Sequence, residues 1–278
     1  MPYYLFLTFI FIFGAIIGSF LNCLIFRLHT GEGMGGRSRC PKCKKQIDWY
    51  DNIPVLSFVF LRGKCRHCGK LISFQYPAVE LMTGILFLYA FSHNFDPAYF
   101  QLRDASLTRS AIFNFQFLTS NFLLQTFRDW FFIAIMIIIF IYDLRWYLIL
   151  DVITLPACLI VFILNIMLGY SWQGMLFSGI IGMSFFLIQF LVSKGKWIGG
   201  GDIRLGLLMG LSLGWPGILV AIMLAYFIGS IVGLGLIAFG RKKWGSEIPL
   251  GVFLSLGAVI TLFWGDKILN WYLGIFRF

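Results

Sequence analysis

"WIGGGDIRLG", residues 197–206, places an aspartate directly behind three glycines, with apolar sequence on both sides. The surroundings decide how it reads. Gly174–Val192 precedes it, and Ile203–Leu213 and Gly217–Phe239 follow, all nearly free of charge. Apolar runs of this kind mark membrane helices, so Asp202 stands at the edge of one. The chain as a whole agrees: of its 278 residues 59% are hydrophobic and only 12% charged, and its mean hydropathy is +0.86. Soluble domains carry about 25% charged residues, so this is the composition of a polytopic membrane protein.

Working outward, the apolar runs predict spans near Tyr3–Phe26, Pro77–Phe91, Phe127–Tyr142, Leu148–Leu168, Gly174–Val192, Ile203–Leu213, Gly217–Phe239 and Ile248–Trp264. The sixth is short, and Ile203–Phe239 reads either as one broken helix or as two spans around "GWPG". The first run is long and lacks a basic start, so it reads as a retained span rather than a cleavable signal. The net charge of +10 does not point to nucleic acid, because the basic residues lie between apolar runs. Ten Lys/Arg fall between Arg27 and Lys70, and Arg145, Lys194, Lys196, Arg204, Arg241, Lys242 and Lys243 follow. Eight spans with both termini outside put all of these on the cytoplasmic face, as the positive-inside rule favours. Within residues 94–126, "AIFNFQFLTSNFLLQ" is aromatic but interrupted by polar residues, and reads as an interfacial amphipathic segment; were it to span instead, the downstream orientation would invert and most of the charge bias would be lost.

The one sizeable polar block is residues 37–76. There Cys40-x-x-Cys43 and Cys65-x-x-Cys68 stand 21 residues apart, the spacing of a four-thiolate zinc ribbon. Lys42, Lys44, Lys64 and Arg66 surround the sulfurs and favour thiolates. Two disulfides are the other reading, and they require an oxidising compartment; the basic loop is expected on the reducing side, which favours zinc. His67 lies between ligands, but four cysteines already complete a tetrahedron. Cys23 and Cys158 fall in apolar runs and read as small packing residues.

Asp143 closes the third predicted span in "IYDLRWYLILD", and Asp202 opens the sixth. Two spans separate them, so they share a membrane face, and the cysteine loop is expected on that face too. Each taken alone reads as an interfacial anchor beside Arg145 or Arg204. The glycines change the balance: Gly199, Gly200 and Gly201 carry no side chains, so backbone or an extended peptide can approach Asp202 closely. Two carboxylates brought together share a proton. The charged one can take a proton from water while the protonated one polarises a peptide carbonyl, the aspartic-protease solution. A cation-coupled transporter, with the two acids binding an ion at broken helices, is the competing reading.

The motifs, taken together, resemble the bacterial type IV prepilin peptidases, a family of G-x-G-D aspartic membrane proteases. "GSFLNCLIFRL" (18–28), "WYDNIPVLSF" and "LRGKCRHCGK" of the cysteine loop, "YPAVELMTG" (76–84), "IYDLRWYLILD", "GGGDIRL" and "EIPLGVFLSLG" (247–257) occur in the family's order. Leu150-Asp151 stands where the family usually has proline before the acid. The resemblance implies an all-α polytopic protein of about eight transmembrane helices: 1–26 as the first span, 27–76 as a cytoplasmic zinc-ribbon-like insert, and 77–278 as a transmembrane peptidase core. It implies Asp143 and Asp202 as catalytic pair, with Gly199–Gly201 as a substrate loop and Cys40, Cys43, Cys65 and Cys68 as metal ligands. It implies prepilin or pseudopilin substrates cut in the inner membrane at the cytoplasmic face, and methylation of the new N-terminus by S-adenosylmethionine. A leader peptidase lacking the methyltransferase is the alternative within the resemblance.

Overall fold

Long apolar runs satisfy their backbone polar groups internally by forming helices, and nine α-helices account for most of the described chain. The computed structural model describes residues 2–33, 35–95, 121–243 and 246–275. The helices are α1 (Pro2–Thr30), α2 (Leu56–Phe60), α3 (Gln75–Asn94), α4 (Asn121–Trp146), α5 (Asp151–Met167), α6 (Trp172–Ser193), α7 (Gly200–Leu213), α8 (Gly217–Ala238) and α9 (Leu250–Ile275). Extended pairing among the described residues is limited to two isolated bridges in the insert, Arg39 with Gln46 and Lys64 with Leu71. Among the described residues, five helices are long and apolar enough to cross a membrane, namely α1 from Tyr4, α4, α6, α8 and α9; α5 is apolar but shorter. The protein is thus a multi-pass membrane protein.

Some expected boundaries move. The segment expected to lie in the interface falls mainly on residues 96–120, outside the described residues, but its end, from Asn121, already belongs to α4. Ile203–Phe239 is two helices. α7 stops at Gly214, whose φ of +67° is a left-handed value that glycine adopts without penalty, and Pro216 precedes α8. α9 runs on to Ile275, past the apolar window that predicted its end at Trp264.

The chain forms two units, 1–100 and 101–278. In the first, α1 and α3 pack backbone against backbone. A Cβ added at Gly14 would meet Gly84 Cα at 2.8 Å, and one at Gly18 would meet Glu80 Cα at 2.7 Å. Gly14 and Gly18 therefore form a small-xxx-small contact face, the arrangement that lets membrane helices approach closely. Asn22, buried at this interface, donates to the Tyr76 carbonyl and accepts from the Gln75 amide.

The second unit repeats the device. Gly206 and Gly210 of α7 face Ser178, Gly179 and Gly182 of α6, and a Cβ at Gly210 would lie 2.6 Å from Gly179 Cα. Gly257 of α9 meets Ala221 and Ala225 of α8 in the same way. A buried polar tie joins α4, α5 and α7. Arg128 pairs with Asp129 (Nε to Oδ1, 2.8 Å) and donates to Asn165 Oδ1, whose amide donates to the Leu211 carbonyl at 2.8 Å. Each member's polar groups are matched, which is the condition for keeping charge inside a membrane bundle. This tie sits near the start of α4, about 21 Å along the axis from Asp143 at 1.5 Å per residue.

Candidate active site and metal centre

Asp143 and Asp202 are both buried, 5% and 7% exposed, which removes the reading of solvent-facing anchors beside an arginine. Arg204 pairs instead with Asp151, the first residue of α5, and the Arg145 guanidinium lies over the Trp146 ring. Asp202 is the third residue of α7, and its Oδ2 accepts the N–H of the N-cap Gly199 at 3.0 Å. A carboxylate in a helix's first turn satisfies a free N–H and meets the positive end of the helix dipole.

Asp143 is placed differently. It lies in the last turn of α4, where its own helix presents carbonyls and negative dipole. The compensation comes from 109 residues later: Val252 N–H donates to its Oδ2 at 3.1 Å, and the Gly251 N–H also reaches it. These are first-turn amides of α9, a helix N-terminus pointed at an anion. A Cβ at Gly251 would lie 2.9 Å from that same Oδ2, so the approach requires glycine. The two carboxylates are within electrostatic reach of each other.

Ile149, in the connection between α4 and α5, lies between the two acids' supports. Its Cβ is 2.7 Å from where a Gly201 Cβ would stand, and its Cδ1 is 3.1 Å from the corresponding point at Gly251. The close backbone approach foreseen at the glycine triplet is therefore made, at Gly201, by the chain's own Ile149. Gly200 faces open space, and Gly199 faces Asp202 itself. Gly251, Val252 and Ile149 were not singled out from the sequence. The only available signal was the glycine in "EIPLGVF", which gives no hint of its partner.

The insert brings its four cysteines together. Cys40, Cys43, Cys65 and Cys68 are free thiols with all four Sγ atoms within 4.8 Å of one another. A tetrahedral four-thiolate zinc with bonds of about 2.3 Å needs sulfur–sulfur separations of about 3.8 Å, so small contractions would close the shell. The two knuckles are near-copies. Cys40 N–H donates to Lys45 O and Lys44 N–H to Cys40 O; likewise Cys65 N–H donates to Lys70 O and Gly69 N–H to Cys65 O. The backbone N–H of Cys68, with that of His67, outweighs burial and draws the Cys65 thiol down to about 7. At Cys43, despite the Lys45 N–H, burial and the neighbouring Cys40 and Cys68 push the thiol up to about 11, so Cys65 is the sulfur drawn toward the thiolate a metal takes. Asp51 grips Arg66 through two hydrogen bonds, 2.7 Å to Nε and 2.6 Å to Nη2, tying the short 3-10 turn Trp49–Asn52 to the second knuckle. This pairing holds the Asp51 carboxyl below its usual range. Cys158 is buried in α5 and Cys23 half-buried in α1, as packing residues would be.

The chain is similar to known proteins along nearly its whole length. Residues 12–94 match the model of the bacterial peptidase A24 N-terminal domain, and residues 130–234 that of the type IV leader peptidase family. The chain is 30% identical to a prepilin leader peptidase/N-methyltransferase of Aeromonas hydrophila, covering 97% of this chain and 94% of that one. It is 30% identical to the protein of that name in Bacillus subtilis, over 96% and 98% of the two chains. A relative of that name in Legionella pneumophila is 28% identical over 98% and 96%. No solved structure matches. Near-full-length identity at this level, over a chain whose two buried aspartates lie in its G-x-G-D region and the end of α4, places the protein in the prepilin leader peptidase/N-methyltransferase family.

Proposed function

We propose that the protein cleaves the leader from type IV prepilins or pseudopilins within the bacterial inner membrane and methylates the new N-terminal residue. The observation that carries the peptidase half is the pair Asp143 and Asp202, both buried, each accepting a backbone N–H on its Oδ2, with the charge of Asp143 felt at Asp202. That leaves the other oxygen of each acid for water or a peptide carbonyl. One aspartate takes a proton from water, whose oxygen attacks the scissile carbonyl carbon while the other acid donates a hydrogen bond to its oxygen. Collapse breaks the C–N bond, and the leaving amine takes up the proton. S-adenosylmethionine is a second substrate, supplying an electrophilic methyl to the amine so released.

In this reading eight helices span the bilayer with both termini outside and the catalytic face cytoplasmic, as the distribution of Lys and Arg favours. Residues 1–26 form the first span, 27–76 the cytoplasmic insert, and 77–278 the peptidase core, with Gly199–Gly201 beside the substrate path. The four cysteines hold one zinc, whose closed thiolate shell serves structure rather than chemistry. The bilayer and the prepilin are the partners, and nucleic acid is not. Transport is disfavoured because both acids already engage backbone donors, which are poor company for a bound cation. The test is to incubate the purified protein, in lipid, with a synthetic prepilin and S-adenosylmethionine and weigh the products. Loss of the leader with gain of one methyl is expected; cleavage without methylation would leave the peptidase alone, and ion flux without cleavage would point to a transporter.

A further inference from the structure

The insert carries an apolar patch that the fold leaves uncovered. α2 reads "LSFVF" and has no charged residue. Leu56, Val59 and Phe60 are 55%, 64% and 82% exposed, and their i, i+3, i+4 spacing sets them on one helix face. Phe74, the residue before α3, is 74% exposed. In water such a cluster would promote association.

Its depth identifies what covers it. α2 is fastened to α3 at two points. The N–H of Val55, just before α2, donates to Glu80 Oε2 at 2.7 Å, and the Phe58 ring meets that of Phe74 edge-on at 6.3 Å. α3 in turn lies along α1, with Glu80 against Gly18 and the Tyr76 carbonyl on Asn22. α1 stays apolar from there to Phe26 and becomes charged at Arg27. At 1.5 Å per residue, Asn22 lies roughly 7 Å and Gly18 roughly 13 Å inside the level of Arg27. Helix side chains tilt toward their N-terminus, so Glu80 reaches back toward that boundary and α2 sits between the two levels. That is the depth at which amphipathic segments bury their apolar face under lipid headgroups, about 5–10 Å. Arg62 and Lys64, both exposed, follow α2 directly and match an anionic headgroup layer.

We propose that α2 is an interfacial foot. The insert sets Leu56, Val59 and Phe60 into the acyl edge of the leaflet, with Phe74 alongside and Arg62 and Lys64 at the headgroup phosphates. The occupant of the patch is lipid. This rests on α1 crossing the bilayer and not on the peptidase reading.

The test uses the full chain in bilayers of phosphatidylethanolamine and phosphatidylglycerol, with Phe60→benzoylphenylalanine as a photo-cross-linker. Phe20→benzoylphenylalanine, at an exposed position of α1, serves as the lipid-facing reference. After irradiation, intact mass should show a phospholipid adduct at position 60 within about threefold of the yield at position 20. Val59→benzoylphenylalanine gives the same readout should the position-60 variant insert poorly. Cross-links to a second copy, or to another part of the chain, would overturn the proposal. So would absence of lipid adducts at both 59 and 60 while position 20 labels.

Discussion

The two cysteine knuckles and the two aspartates are both pairs, but they are built on opposite plans. The knuckles repeat one local design: the same backbone bonds, made within five residues of each first cysteine, recur around Cys40 and Cys65. The aspartates are both buried and both accept a backbone N–H at a helix start, but their supports come from different parts of the chain. Asp202 is held by its own helix start, three residues away, whereas Asp143 depends on amides 109 residues downstream. In the proposed reading, a symmetric task would thus rest on unsymmetric supports. A local motif can be substituted and read locally, while Asp143 answers to changes made far from it in sequence.

The largest effect should come from the acids themselves. Asp143→Asn and Asp202→Asn should each lower prepilin cleavage at least about a thousandfold, and the double variant should be no worse, because groups acting as one unit are non-additive. Asp151→Asn should keep substantial activity, since Asp151 pairs with Arg204 on an exposed surface. Steady-state cleavage by the four variants decides it. Strong cleavage by Asp202→Asn would mean that the pair is not the catalytic one.

The next effect breaks or confirms the difference between the supports. Gly251→Ala puts a methyl 2.9 Å from Asp143 Oδ2, and displacing a reacting group by about 1 Å costs roughly a hundredfold. Gly200→Ala meets open space and should stay near wild type. Gly201→Val collides with Ile149 and should lose cleavage while the protein still inserts. Ile149→Gly combined with Gly201→Ala should recover activity over Gly201→Ala alone, because it removes the Cβ that a Gly201 methyl would meet. Without that recovery, the glycine would be serving the substrate rather than Ile149.

These supports also mark where sequence reading stops. The membrane class, the cysteine pairs and the two acids were legible because each depends on composition or on short spacing. The partner of Asp143 was not, because "EIPLGVF" holds it through backbone N–H groups, which no side chain in the stretch announces. Arg128, Asp129 and Asn165 went unread for a related reason: two lie at the start of α4, where an apolar window places only a boundary, and the third is one amide in an apolar run. The Gly14/Gly18 and Gly206/Gly210 faces were present as spacing, but glycine is common in apolar helices and only the facing helix gives the spacing meaning.

On the insert, removing ligands should separate metal from catalysis. The purified protein should carry about one zinc per chain, lost in Cys40→Ser with Cys43→Ser, and peptidase activity should fall by no more than about threefold if the closed shell is structural. Metal analysis and cleavage on one sample check both. A chain without metal but with intact thiols would remove the zinc from the account, and peptidase loss beyond a hundredfold would bring the insert into the reaction.

The smallest effect probes how far the knuckles are copies. Lys44 and Gly69 hold matching places, each donating its N–H to the first cysteine's carbonyl, and both backbones are left-handed, with φ of +61° and +65°. Glycine occupies that region freely, whereas a lysine meets its own Cβ there, at a cost of about 1–2 kcal/mol partly offset by the lower entropy of the unfolded lysine chain. Lys44→Gly should therefore stabilise the first knuckle by up to about 1 kcal/mol, and Gly69→Lys should destabilise the second by a similar amount. The double exchange should come out near neutral, because the strain is moved rather than removed. Zinc release to a chelator, followed for wild type and the three variants, reads this directly. Lys44 also sits 5.9 Å from the Phe26 ring, a contact that Gly69 lacks any side chain to make. If Lys44→Gly releases zinc faster than wild type, that contact with the end of α1 outweighs the backbone strain, and the two knuckles are copies in backbone alone.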